Sequence, residues 1–368
     1  MNINEWYNLL VSIYLIGGIC YVFTFGIGKY KSAKFVMAIW LVALLFYTAN
    51  RPIEVGTDTQ MYSNVFAVHT SGISYDLIPV QQQINFAFFS ITKFSALFSA
   101  NFDFFLFVVS ALFLFSTYIA FKLIFKQNWH LPFFIFASTF IYYSFLFNLI
   151  RNSLIVGGSF WALYLFFYNP TTRKRIFGSA VLLGLFLLHS SAAFIALAII
   201  ASSFLKSEKQ ALLIWFFVLA LSIVGVDIFK TIQNLVYTFF PSSTLAFKTG
   251  VYDRVSKSTA FRLDFVLYTI FFGLIGYFVS TKWKDQFYAS IVKWYLIQGS
   301  LFMLFFSFPY VDRIASLAWI GFPLIIGYPT IYWKGFRPYR FHLVFITFLF
   351  GILNLLLVAR YDFHLELF

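Results

Sequence analysis

The stretch RKRIFGSAVLLGLFLLHSSAAFIALAIIASSFLK, residues 173–206, decides the fold. Its apolar part, 176–205, is 30 residues long and has basic clusters at both ends: Arg173, Lys174 and Arg175 before it, Lys206 and Lys209 after it. About 20 apolar residues cross a bilayer as a helix. One straight helix would put the two clusters on opposite sides, against the tendency of basic loops to stay on one side of a membrane. Two short helices meeting near His189-Ser-Ser191 keep both clusters together and carry His189 to the other surface.

The rest of the chain repeats this pattern of apolar run and basic cluster. Of 368 residues, 61% are hydrophobic and 11% charged, and the mean hydropathy is +0.84. No soluble domain needs so much apolar surface. Backbone polar groups cannot be left unpaired in lipid, so the spans are helices, and the ten-residue alternation of a barrel is absent. The expected class is an all-α polytopic integral membrane protein, read as one transmembrane domain over 1–368. The net charge of +13 does not signal nucleic acid, because the basic residues sit in short clusters between apolar runs, as in Lys29, Lys31, Lys34 and Lys334, Arg337, Arg340. The single cysteine, Cys20, excludes an internal disulfide.

Orienting the clusters inward gives twelve crossings with both termini outside. Expected spans include Trp6–Gly26, Phe35–Asn50, Phe104–Phe125 and a continuous Leu131–Ile150. Residues 82–99 carry Gln83, Asn85 and Lys93 and are read as an amphipathic or re-entrant helix at the outer interface, with an ordinary span as the alternative. Outer loops fall at 51–80 and 227–262. The unusual charges then collect on the outer face, Arg51, Asp58, Arg151, Arg254 and Arg313 among them.

Four residues stand out for chemistry. Arg151 and Arg313 interrupt apolar sequence, where a charge is costly and marks a site by default. The planar arginine fork suits a diphosphate, and its charge is permanent. Snorkelling to a headgroup is the alternative, as is pairing, Asp312 being adjacent to Arg313. Asp58, in Val55-Gly-Thr-Asp-Thr-Gln-Met-Tyr62, offers a carboxylate that either serves as general base for a hydroxyl or caps a helix starting at Thr59. His189 either donates a bond or shuttles a proton, or is a satisfied structural group. No His or carboxylate spacing reads as a metal site, and no nucleotide-binding glycine motif is present. The pairs Gly17-Gly18 and Gly157-Gly158 are read as sites of close helix packing.

Three ordered stretches resemble the EpsG family of Wzy-like polysaccharide polymerases. They are the Gly-x-Asp-x-x-x-Tyr pattern of Gly56, Asp58 and Tyr62; Arg151 opening a helix, with Leu188-His-Ser-Ser191 some forty residues on; and Arg313-Ile-Ala-Ser late in the chain. The family has Arg-Gln where this chain has Arg151-Asn152. The resemblance covers about residues 45–330. It implies a GT-C-like glycosyltransferase in the bacterial inner membrane, acting on its outer face without a cofactor. Donor and acceptor would be glycans on undecaprenyl diphosphate, reached from the lipid bilayer, with a chain-length regulator as a candidate protein partner. Arg151 and Arg313, helped by Arg51 or Arg254, would neutralise the diphosphate. Asp58 would handle the acceptor hydroxyl, with His189 in support and Tyr62 and Tyr252 along the sugar groove. An O-antigen ligase shares these features. A flippase for the lipid-linked unit would instead show internal repeats and polar mid-membrane faces.

Overall fold

A computed structural model describes residues 2–71, 86–239, 262–308, 310–361 and 363. Among these residues every regular element is a helix. The chain is a polytopic membrane protein of the all-α class, and it divides into two compact units, 1–193 with 326–368, and 194–325.

The first unit holds α1 (Ile3–Gly26), α2 (Tyr30–Ala49), α3 (Thr59–Thr70), α4 (Phe86–Phe98), α5 (Phe102–Phe125), α6 (His130–Ala137), α7 (Phe140–Phe147), α8 (Ile150–Phe167) and α9 (Thr172–Leu188), and near its end α17 (Arg340–Tyr361). Its helices approach closely because adjacent glycines open two sides of one helix. A Cβ on Gly17 would meet the Trp40 ring of α2 at 2.8 Å, and one on Gly18 would meet Phe348 of α17 at 2.5 Å. The pair Gly157-Gly158 does the same for α8, with Ser116 of α5 on one side and Leu185 of α9 on the other. Small residues allow such backbone approach where lipid gives no hydrophobic drive to association.

The two ends of this unit differ in charge. Lys34 Nζ donates to Gln127 Oε1 at 3.1 Å, and Tyr332 Oη donates to the Ile124 carbonyl at 2.9 Å. These bonds gather the basic segments around 29–34, 122–127 and 334–340. At the other end, Tyr47 Oη reaches the Trp6 carbonyl (2.8 Å) and Tyr7 Oη the Leu355 carbonyl (3.1 Å), which brings the start of α1 to the ends of α2 and α17. Arg51 follows α2 at this second end.

The expected continuous span over 131–150 is instead two helices, α6 and α7, bent by 82°. The break falls at Ser138-Thr139, whose hydroxyls fold back onto the Phe134 (2.9 Å) and Phe136 (2.7 Å) carbonyls. Distant helices complete the bonding. Tyr14 Oη donates to Ser138 Oγ at 3.0 Å, and Asn354 Nδ2 donates to the Ser138 carbonyl at 3.1 Å. A broken helix is tolerated at membrane depth when the surrounding protein satisfies the freed backbone groups in this way.

The second unit takes most of α10 (Ala192–Phe204), then α11 (Glu208–Ile223), α12 (Ile228–Phe239), α13 (Leu263–Trp283), α14 (Gln286–Leu304), α15 (Val311–Trp319) and the first residues of α16 (Phe322–Tyr332), which ends in the first unit. Thr269 is a hub of this unit, accepting from Trp319 Nε1 at its hydroxyl (3.0 Å) and from Tyr295 Oη at its carbonyl (3.2 Å). Asp227 ties the start of α12 to the segment after α14. It accepts from the Phe229 amide at 2.9 Å and the Ser307 amide at 3.1 Å.

Among the described residues, seven helical stretches are long and apolar enough to cross a membrane, or nine if each of two bent pairs counts as one. The expected count was twelve. Three expected spans make up the difference from nine. α9 and α10 are short helices of 17 and 13 residues that meet at 189–191 as read from the charge clusters, and α14 is diluted by Gln286, Lys293 and Gln298. α4, within the stretch read as interfacial or re-entrant, is described over 13 residues.

Candidate functional site

The loop between α2 and α3 is fastened to the end of α7 at the carbonyl oxygen of Phe147 and at the Asn148 side chain. The last carbonyls of a helix have no partner within it. Here Arg51 Nη2 donates to that oxygen at 3.2 Å, and Thr59 Oγ1, whose hydrogen goes to the Val55 carbonyl at 2.7 Å, lies 3.3 Å from it. Gly56 runs so close that any Cβ there would collide with the same oxygen, and its φ of +87° is one that favours glycine. Thr57 Oγ1 donates to Asn148 Oδ1 just beyond. The glycine of the Gly-x-Asp pattern is thus required by both backbone conformation and contact.

Arg51 is only 4% exposed, and its other terminal nitrogen donates to the Thr48 carbonyl at 3.1 Å. Its two terminal nitrogens thus brace the loop from beneath. Glu54 is exposed, while Asp58 is half-buried and sits one turn before Tyr62. Asp58 occupies the N-cap position of α3, where its carbonyl accepts from the Tyr62 amide at 3.1 Å. Its carboxylate makes no capping bond to the helix, so the capping role weighed from sequence is filled by the backbone alone.

Tyr62 is 2% exposed. Its ring packs with Phe66, Phe88, Phe105 and Ile150 in an apolar cluster that joins α3, α4, α5 and α8, with Leu188 of α9 against it. Its hydroxyl accepts from Arg151 Nε at 2.9 Å, and the guanidinium lies 5.8 Å from the ring centroid. Tyr62 therefore orients Arg151, and its buried ring does not line an open groove. Arg151 itself is half-buried in the first turn of α8. The positive end of a helix dipole coincides there with a fixed cation, which favours an anion.

A second chain of contacts runs from the next residue. Asn152 is 2% exposed, and its Oδ1 lies 2.9 Å from Ser191 Oγ. Ser191 Oγ lies 2.6 Å from His189 Nδ1, which also accepts from the Ser191 amide at 3.1 Å. His189 closes α9 and is half-buried. Segments 55–62, 147–152 and 188–191 therefore meet at one end of the first unit. A sequence model of the EpsG family matches residues 34–365, which takes in all three segments and Arg313.

The chain belongs to the EpsG family.

No curated protein and no solved structure matches it. Of the family-like positions, Gly56, Asp58, Tyr62, Arg151 and His189 converge in the first unit. Arg313 belongs to the second, in the first turn of α15. It is half-buried, with its guanidinium 4.5 Å from the Tyr310 ring centroid. Tyr252 and Arg254 lie outside the described residues. Among the described residues no group of three or more His, Cys, Asp or Glu side chains comes together to hold a metal. His69, in α3, packs edge-on against Phe89 at 4.4 Å; burial first, then Lys93, lowers its pKa.

Sequence reasoning missed three parts of this site: the Phe147 carbonyl, Asn148 and Ser191. A backbone oxygen has no residue signature. Ser191 had one signal, its place in the Leu-His-Ser-Ser stretch, and Asn152 was noted only as a departure from the family pattern.

Proposed function

We propose that this EpsG-family protein is a membrane glycosyltransferase that polymerises oligosaccharide units carried on undecaprenyl diphosphate, on the outer face of a bacterial inner membrane. The observation that carries the reading is the convergence of a half-buried carboxylate, Asp58, with a tyrosine-held arginine, Arg151, at a helix N-terminus. Glycosyl transfer from a lipid diphosphate needs both. The acceptor oxygen forms a bond to the anomeric carbon of the donor glycan while the bond from that carbon to the diphosphate oxygen breaks. The diphosphate leaves with the electron pair, and the acceptor proton passes to a base. Asp58 takes the proton. Arg151 and the α8 amides answer the charge that develops on the diphosphate, the role that the family resemblance also implies for Arg313. His189 supports the same oxygens, and Arg51 and Tyr62 act through the groups they hold.

The test is deletion of the gene and complementation, with glycan length read on a gel. Wild type should restore a ladder, and Arg151→Ala or Arg313→Ala, at normal protein level, should leave a single repeat unit. A normal ladder in both variants would overturn the assignment. Polymer that forms but fails to reach its final acceptor would point to a ligase. Labelled unit crossing vesicles without polymer would point to a flippase.

A further inference from the structure

The contacts among Asn152, Ser191 and His189 fix which nitrogen of the histidine carries its proton. The Ser191 hydroxyl has one hydrogen, and two atoms lie within bonding distance of its oxygen, His189 Nδ1 at 2.6 Å and the Asn152 side-chain amide at 2.9 Å. Two arrangements of a neutral ring are consistent with that. In one, Nδ1–H donates to Ser191 Oγ, whose hydrogen goes to the Asn152 oxygen. In the other, Ser191 Oγ–H donates to a bare Nδ1, and the amide of Asn152, turned over about its last bond, donates N–H to Oγ. Oxygen and nitrogen of such an amide exchange places with no change of shape. The backbone amide of Ser191 decides between them. It points its own hydrogen at Nδ1 from 3.1 Å, and a backbone N–H can only donate. With Nδ1 protonated, two hydrogens would face each other.

We infer that Asn152 and Ser191 are positioning residues that hold neutral His189 with Nδ1 bare and the proton on Nε2. His189 is then a fixed hydrogen-bond donor through Nε2, suited to an anionic oxygen and unsuited to removing a proton. The chemical consequence rests on the polymerase reading: it leaves Asp58 as the base and puts His189 on the diphosphate side with Arg151, the chain neighbour of Asn152. An asparagine fits this place because it can donate to Ser191. An aspartate of the same shape can only accept.

The test is nitrogen NMR of histidine-labelled full-length protein in detergent, with the His189 signal assigned by its loss in His189→Gln. At neutral pH the wild type should show an unprotonated Nδ1 and a protonated Nε2. Asn152→Asp draws the Ser191 hydrogen away, so Nδ1 should become protonated and the ring should titrate about one pH unit higher. Among the described residues, the charged groups on the helices packed against α9 are Arg151 of α8 and Lys93 of α4, and Asp58 converges on the same end; all three are common to wild type and variant, so none accounts for a shift between them. Ser191→Ala keeps the backbone N–H and should keep Nδ1 bare, which tests the decisive contact if the aspartate variant does not fold. A protonated Nδ1 in neutral wild type overturns the inference, as does an unshifted Asn152→Asp. These readouts need no activity, so a deletion strain that keeps its ladder would sink the polymerase reading and leave the tautomer result standing.

Discussion

At Ser138-Thr139 and again at His189-Ser190-Ser191 a helix stops among hydroxyl side chains, and the two breaks are finished in different ways. The first is sealed. Ser138 and Thr139 are fully buried; Tyr14 and Asn354 reach in from α1 and α17 to Ser138, and the Thr139 hydroxyl bonds the Phe136 carbonyl. The second is open. His189 and Ser191 are half-buried, Ser190 is exposed, and the contacts lead to Asn152 beside Arg151. Polar groups in a membrane protein are costly unless paired, so a sealed break reads as architecture. A break whose polar groups line up at a partly exposed end, next to a fixed cation, reads as chemistry. The same residue types serve both, and their surroundings decide.

This contrast predicts that the open end governs activity and the sealed break stability. The largest effect is expected at Asp58. Asp58→Asn and Asp58→Ala should each cut polymer formation by roughly 100-fold or more, as for loss of a general base, with unchanged melting temperatures in detergent. Activity retained in Asp58→Asn would return the residue to a structural role. Arg151→Ala follows, with a loss of about 100-fold, again without unfolding; a drop in protein level instead would move Arg151 to the architectural class.

Gly56→Ala lies between the classes. It forces a left-handed conformation on a Cβ and drives that atom into the Phe147 carbonyl, at about 1–3 kcal/mol for the backbone alone. Both the melting temperature and the ladder should suffer. The smallest effect on product is expected at Asn354→Leu, which leaves the Ser138 carbonyl without its Nδ2 donor and costs about 1–3 kcal/mol of stability. At a temperature where the variant stays folded its ladder should match wild type. A shortened ladder there would break the contrast.

The break at 189–191 was legible because charge flanks it on both sides, and no straight helix reconciles Arg173 to Arg175 with Lys206. The break at 138–139 had no such mark. Its own residues are ordinary in a membrane helix, and its partners lie 124 and 216 residues away. Local sequence cannot announce a bond of that separation. The glycine pairs were read correctly as packing devices because adjacent small residues have few other uses in an apolar run. At the site, Asp58, Arg151 and His189 were visible as polar residues in the wrong place. The parts played by Arg51 and Tyr62 were not, since an arginine that braces a loop and one that grips a ligand look alike until its bonds are seen.

The Phe147 carbonyl acts as a ruler. Arg51, Gly56 and Thr59 are all measured against it, so the spacing between Arg51 and Thr59 has no slack. An inserted or deleted codon there would misplace at least one of the three. Length variation among related genes should therefore be absent from that interval, which makes a gap-free Arg51–Thr59 block a usable anchor for aligning sequences that have otherwise diverged.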